Sequence, residues 1–300
     1  MLVLTSGLFS AVCVILGVAY YSSKQITIPC RGCPQGDPGD LGLPFENVQF
    51  TTEDGLTLEG WYIPAKSSES SSQRVVIVCH GQMAIRWDCL DYVPFLREAG
   101  YGVLLFDFRA HGTSEGDICT IGFLERLDVK AAVQFMLHHS QPEWIGILGL
   151  SMGGSAAILA AVDLPAINAV VADCPFATLT DAIFDVCRKD RLPVLGGWMG
   201  IQMCRLRFGM KVEDVDVTKA LRRLNNTAVL IIQSEHDPIV SRQQTERILA
   251  SLGQFGAYWF VPNAQHVRGF EEQPDEYKRR VLGFFADSLK EARQQRGERS

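Results

Sequence analysis

Gly149-Leu150-Ser151-Met152-Gly153 sets one serine between two glycines, after an apolar run from Trp144 to Leu150 and before a helix expected over Gly153 to Val162. This G-x-S-x-G pattern, in a strand–turn–helix setting, is where a chain can hold a nucleophilic hydroxyl. The glycines lack Cβ atoms, so strand and helix can close around a serine in strained backbone geometry. The turn would present Ser151 Oγ at the start of the helix, where free N–H groups receive developing negative charge.

Acyl transfer from a serine needs a base near Oγ and an acid that orients the base. Asp237 follows an apolar run at Val229–Ile232, in Glu235-His236-Asp237-Pro238, and His266 follows Tyr258–Val261, in Asn263-Ala264-Gln265-His266. Both leave the carboxyl ends of expected strands, where open α/β sheets place their ligands. Asp173, also at a strand end, is the alternative acid, and His236 reads as a flank of Asp237. An oxyanion needs two N–H donors. Met152 supplies one, and Gln82, in His80-Gly81-Gln82-Met83 after the run Val75–Cys79, supplies the other. The pattern calls for no metal and no organic cofactor. It has no Walker A run, no dinucleotide-binding glycine motif and no H-E-x-x-H.

The elements that must position these residues alternate. Val48–Thr51 and Leu56–Tyr62 read as a hairpin around Glu53-Asp54-Gly55. Strands follow at Val75–Cys79, Val103–Phe106, Trp144–Leu150, Ala169–Ala172, Val229–Ile232 and Tyr258–Val261. Helices are expected between them, near Asp88–Ala99, Phe123–His138 and Gln243–Leu252, with a closing helix over Tyr277–Ala292. Such alternation implies an α/β fold with a mostly parallel central sheet and crossover helices. Between Phe176 and Asn226 the alternation lapses. That stretch, 176–226, is expected to form a small helical cap whose apolar residues, Leu195 and Trp198 among them, line an acyl pocket.

These pieces resemble the α/β-hydrolase superfamily and, within it, membrane-anchored bacterial serine hydrolases and the prolyl-oligopeptidase-like group. The likeness rests on Phe50–Tyr62, His80-Gly81, Asp107-Phe108-Arg109-Ala110-His111-Gly112, Gly149–Gly154, Glu235–Val240, and His266 with Pro274–Tyr277. It implies a triad of Ser151, Asp237 and His266, with Gln82 and Met152 at the oxyanion hole and Asp107–Gly112 as a structural loop. The glycine usual after His80-Gly81-x is absent at Met83-Ala84. The activity implied is a serine hydrolase, carboxylesterase- or lipase-like, that cleaves acyl esters through a covalent acyl-enzyme. Serine peptidase and acyl-thioesterase are alternatives on the same site, and a non-catalytic membrane-tethered binding module is a third.

The whole chain bounds the partners. Among 300 residues, 34 acidic side chains outnumber 28 lysines and arginines, which argues against nucleic acid and leaves a small-molecule or lipid-like acyl substrate. Residues 1–23 carry no charge and are mostly apolar, the length of a single-pass anchor. A cleaved signal fits less well, because no lysine or arginine precedes the apolar run. The expected organisation is an anchor over 1–23, a Pro/Gly-rich stem over 24–44, a hydrolase domain over 45–292 and a polar tail over 293–300. Cys30-x-x-Cys33 in the stem offers a local disulfide or half a metal site, with no second pair at zinc spacing.

Overall fold

Val75–Cys79, Trp144–Leu150 and Ala169–Ala172 carry no charged side chain, so both faces of each run must be covered. The computed structural model, which describes residues 2–66, 74–254 and 256–297, makes each run a central strand of one sheet. Its eight strands are β1 (Glu46–Thr51), β2 (Thr57–Ile63), β3 (Arg74–Cys79), β4 (Gly102–Phe106), β5 (Trp144–Leu150), β6 (Ile167–Asp173), β7 (Ala228–Ser234) and β8 (Gly256–Val261). Their spatial order is β8-β7-β6-β5-β3-β4-β2-β1. The β1–β2 and β2–β4 pairs are antiparallel and every other pair is parallel. The fold is therefore the expected α/β-hydrolase arrangement. Every residue of β5 is buried, as helix layers on both faces of a parallel sheet require. The polar loop expected at Ser67–Ser72, and residues 298–300 of the expected tail, lie outside the described residues.

The ten helices among the described residues are α1 (Leu2–Ile26), α2 (Val93–Glu98), α3 (Glu125–His139), α4 (Met152–Ala161), α5 (Leu179–Lys189), α6 (Val194–Phe208), α7 (Val217–Arg223), α8 (Arg242–Leu249), α9 (Gly269–Glu272) and α10 (Pro274–Gly297). The stretch from Leu192 to Gly200 reads as broken by Pro193 and three glycines; Pro193 is the N-cap residue, and α6 runs unbroken from Val194 through all three glycines. Close packing is the reason. A Cβ on Gly197 would stand 2.9 Å from Cys187 Sγ on α5, so glycine lets the two helices touch. Within the 176–226 segment Ile201 and Cys204 are buried, whereas Leu195 and Trp198 face outward.

The N-terminal segment departs from expectation. Among the described residues, no helix is long and apolar enough to cross a membrane. The single-pass anchor, the membrane as a partner and the membrane location are corrected accordingly, and with them the membrane-anchored part of the resemblance. The helix does not stop at residue 23 but runs on through Ser22-Ser23-Lys24-Gln25-Ile26, and this polar end packs on α6. The two helices are antiparallel. Tyr20 lies under the Arg207 guanidinium, Ser23 Oγ accepts from Arg207 at 2.7 Å, and Ile26 meets Gly200. Beyond α1 the residues of the expected stem lie against the body: Cys30 and Arg31 pair in parallel with His111 and Gly112. All nine cysteines are free thiols, Cys30 and Cys33 included.

Candidate active site

Ser151 sits between β5 and α4 with φ 51° and ψ −113°, a conformation that costs on the order of 1–3 kcal/mol outside glycine. Close packing holds it there. A Cβ on Gly153 would lie 2.3 Å from Cys79 O, so only glycine lets α4 start this close to β3. The Ser151 N–H donates to Asp173 O at 2.7 Å, which ties the turn to the end of β6. Met152 opens α4, so its N–H belongs to the first turn, where donors have no partner within the helix.

Two loops from the far edge of the sheet meet this turn. His266 Nε2 lies 2.9 Å from Ser151 Oγ, and His266 Nδ1 lies 2.7 Å from Asp237 Oδ2. The second oxygen of Asp237 accepts the backbone N–H groups of Ile239 and Val240 at 2.8 Å each. Asp237 is thereby fixed as an acceptor, and the imidazole is oriented with Nδ1 as the donor. Asp173 makes no hydrogen bond to His266; its Oδ2 accepts from Tyr277 Oη at 2.9 Å. His236 is exposed, and its backbone N–H bonds Ala264 O.

The loop after β3 closes against the serine: a Cβ on Gly81 would lie 3.4 Å from Ser151 Cβ. His80 anchors that loop. Its Nδ1 donates to Gly81 O at 2.7 Å and its Nε2 accepts from Phe108 N at 3.0 Å. Burial, reinforced by His111, pushes its pKa down to about 3, so the ring is a neutral brace. Gln82 and Met83 form the turn that follows, with Met83 at φ 62° where the resemblance leads one to expect glycine. The Asp107–Gly112 loop is braced by buried charge: Asp107 pairs with Arg86, and Arg109 with Asp128 and Asp54 at 2.7 Å each.

One further side chain belongs to this constellation. Cys174 follows Asp173 at the end of β6, and its sulfur, one carboxylate oxygen of Asp237 and one ring nitrogen of His266 all lie within 4.8 Å of one another. The expectation of an ester-cleaving enzyme with a serine-only triad is corrected on this finding. The Asp237–His266 pair has both a hydroxyl and a thiol in its neighbourhood. The sequence signal was available, since Cys174 sits one residue past a strand at the level of the other site residues. Burial raises the Cys174 thiol well above its ordinary range, and its sulfur accepts the Val267 N–H at 3.4 Å and lies 3.3 Å from Ser234 Oγ. Each of the three atoms is engaged by hydrogen bonds within the protein, Asp237 Oδ2 and His266 Nδ1 by each other and the Cys174 sulfur by Val267 N and Ser234 Oγ.

A sequence-family model described as the alpha/beta hydrolase fold matches residues 74–204. Among solved structures, the Pyrococcus furiosus esterase Pf2001 superposes with a TM-score of 0.72 at 28% identity, covering 86% of this chain and 97% of that one. Among curated proteins, Rv2307c of Mycobacterium tuberculosis is 28% identical over 255 residues, 84% of this chain and 83% of its own. YfhR of Escherichia coli O157:H7 is 23% identical over 253 residues, 81% of each. The fold and the triad-like cluster together support hydrolase activity.

Proposed function

We propose that this chain hydrolyses acyl thioesters at the Asp237–His266 pair, through a covalent acyl intermediate on one of the two side chains beside the imidazole, Ser151 and Cys174. The observation that carries the reading is an imidazole oriented by a carboxylate at 2.7 Å, with a hydroxyl and a thiol both in its neighbourhood. His266 takes the proton of the attacking group as that group adds to the thioester carbonyl. The oxyanion is received by the N–H groups of Gln82 and Met152. Collapse expels the leaving thiolate, to which His266 returns the proton. Water then repeats the cycle on the acyl intermediate and frees the carboxylic acid, while Asp237 stays ionised throughout.

Each nucleophile has a physical argument. Ser151 Oγ is within hydrogen-bond reach of Nε2 and stands at the start of α4. Cys174 offers a sulfur, for which attack on a thioester exchanges one carbon–sulfur bond for another at little cost. Its burial demands that His266 remove the thiol proton during attack, because no resting thiolate is available there. The test compares acyl thioesters with matched oxyesters and peptides on the wild type, S151A and C174S, with the acyl adduct mapped by mass spectrometry after quenching. Thioesters are expected to give the highest kcat/KM. An adduct lost in S151A and kept in C174S assigns the hydroxyl, and the reverse assigns the thiol. Oxyester turnover without thioester turnover rejects the proposal.

A further inference from the structure

Asp173 is a fully buried carboxyl that the proposed chemistry does not use. One of its oxygens, Oδ1, has no hydrogen-bond partner. The other, Oδ2, accepts from Tyr277 Oη of α10 at 2.9 Å, and Tyr277 is itself fully buried. An acid kept this deep with half its hydrogen-bonding capacity idle is costly. Its place in the fold shows what it supports.

The dipeptide Asp173-Cys174 bears both loops that meet at the imidazole. Asp173 O accepts the Ser151 N–H at 2.7 Å, which holds the strained turn. Cys174 Sγ accepts the N–H of Val267, the residue after His266, at 3.4 Å. Cys174 N donates to Ile232 O at 2.8 Å, tying the dipeptide to β7, the strand that leads to Asp237. The 2.9 Å approach of Ser151 Oγ to His266 Nε2 is thus set by two elements resting on consecutive residues. The end of β6 carries them, and the Tyr277 hydroxyl pins the carboxyl there.

We propose that Asp173, anchored by Tyr277, is a positioning residue that sets the distance between Ser151 and His266, acting through its hydrogen bond and not through its charge. The proposal rests on the Asp237–His266 reading of the site with Ser151 as the attacking group. It predicts an order among variants that a charge effect or a general loss of packing would not produce. Asparagine at 173 keeps the acceptor that Tyr277 uses and discards the charge. Y277F keeps the carboxyl and the ring and discards the bond.

The experiment measures kcat and KM on an acyl thioester for D173N, D173A and Y277F. Beside it, proton NMR follows the low-field resonance of the hydrogen shared by His266 Nδ1 and Asp237, and thermal unfolding confirms folding. Y277F and D173A are expected to lose on the order of 10-fold or more in kcat with KM little changed, because small misplacements of reacting groups are that costly. Their low-field resonance should shift or broaden. D173N should keep both kcat and resonance near the wild type. Wild-type activity in a folded Y277F, or a D173N as impaired as D173A, overturns the proposal. Should the wild type turn over no thioester, the resonance alone still decides on positioning, and the functional reading fails separately. If D173A does not fold, Y277F and D173N carry the test.

Discussion

Asp237 receives the His266 imidazole on one oxygen at 2.7 Å and the N–H groups of its own loop on the other at 2.8 Å. The loop donors leave the carboxylate no freedom to turn. D237N would set an amide N–H against the imidazole or force the ring into its other tautomer. We expect kcat on an acyl thioester to fall by about 10³- to 10⁴-fold with KM little changed. Steady-state kinetics on the folded variant check this, and a loss below ten-fold would mean that another group orients His266.

The loop after β3 is proposed to supply one oxyanion donor from Gln82. Replacing that residue with proline removes its N–H while leaving His80 to brace the loop. Q82P should lower kcat by about 10²- to 10³-fold, whereas Q82A, which keeps the N–H, should not. Equal losses in the two variants would place the side chain, not the backbone, in the site.

His80 makes stability depend on pH. Its pKa is pushed down from 6.5 to about 3 in the folded protein by burial, with His111 adding to the effect. Below pH 6.5 the unfolded chain binds a proton that the folded chain refuses. Stability is therefore full above that pH and falls as the pH drops toward 3. At about pH 4.5 the loss from this one group should reach about 3 kcal/mol. Urea unfolding at neutral and acidic pH, on the wild type and on H80Q, measures it. The glutamine variant should be less stable at neutral pH but lose less on acidification; parallel losses would exclude His80 as the source.

Gly200 is where α1 and α6 touch. A Cβ there would lie 2.8 Å from Ile26 Cδ1 and 2.9 Å from Ser22 Cβ. G200A should push the helices apart, at about 1–3 kcal/mol, and expose the 20–27 segment to protease. A thermal midpoint and cleavage rate equal to those of the wild type would show that α1 is held by something other than this contact.

Much of the architecture was legible because its signals are local. A run such as Val75–Cys79 declares a strand covered on both faces whatever its neighbours, and the glycines around Ser151 declare a tight turn. Ser151, Asp237 and His266 could each be singled out from a position just past an apolar run. The N-terminal segment misled because a sequence shows where an apolar run stops but not what the helix beyond it packs on; Val14, Ile15 and Leu16 of that run stay exposed. Only the partner helix α6 shows that its polar end, Ser22 to Ile26, is a packing surface.

What the sequence determined by itself is the alternation of elements, the α/β class, and the chemical types available at the strand ends. What tertiary structure decided is which of those groups meet. Ser151 and His266 are 115 residues apart, and their 2.9 Å approach depends on the spatial order of strands. No local pattern encodes that order. The consecutive residues Asp173 and Cys174 show the same division. Both were visible at the end of β6, but Cys174 lies one residue past the strand with φ 52°, so the alternation of a strand does not fix its direction. Only the folded sheet sends the carboxyl to Tyr277 on α10 and the thiol to the Asp237–His266 pair.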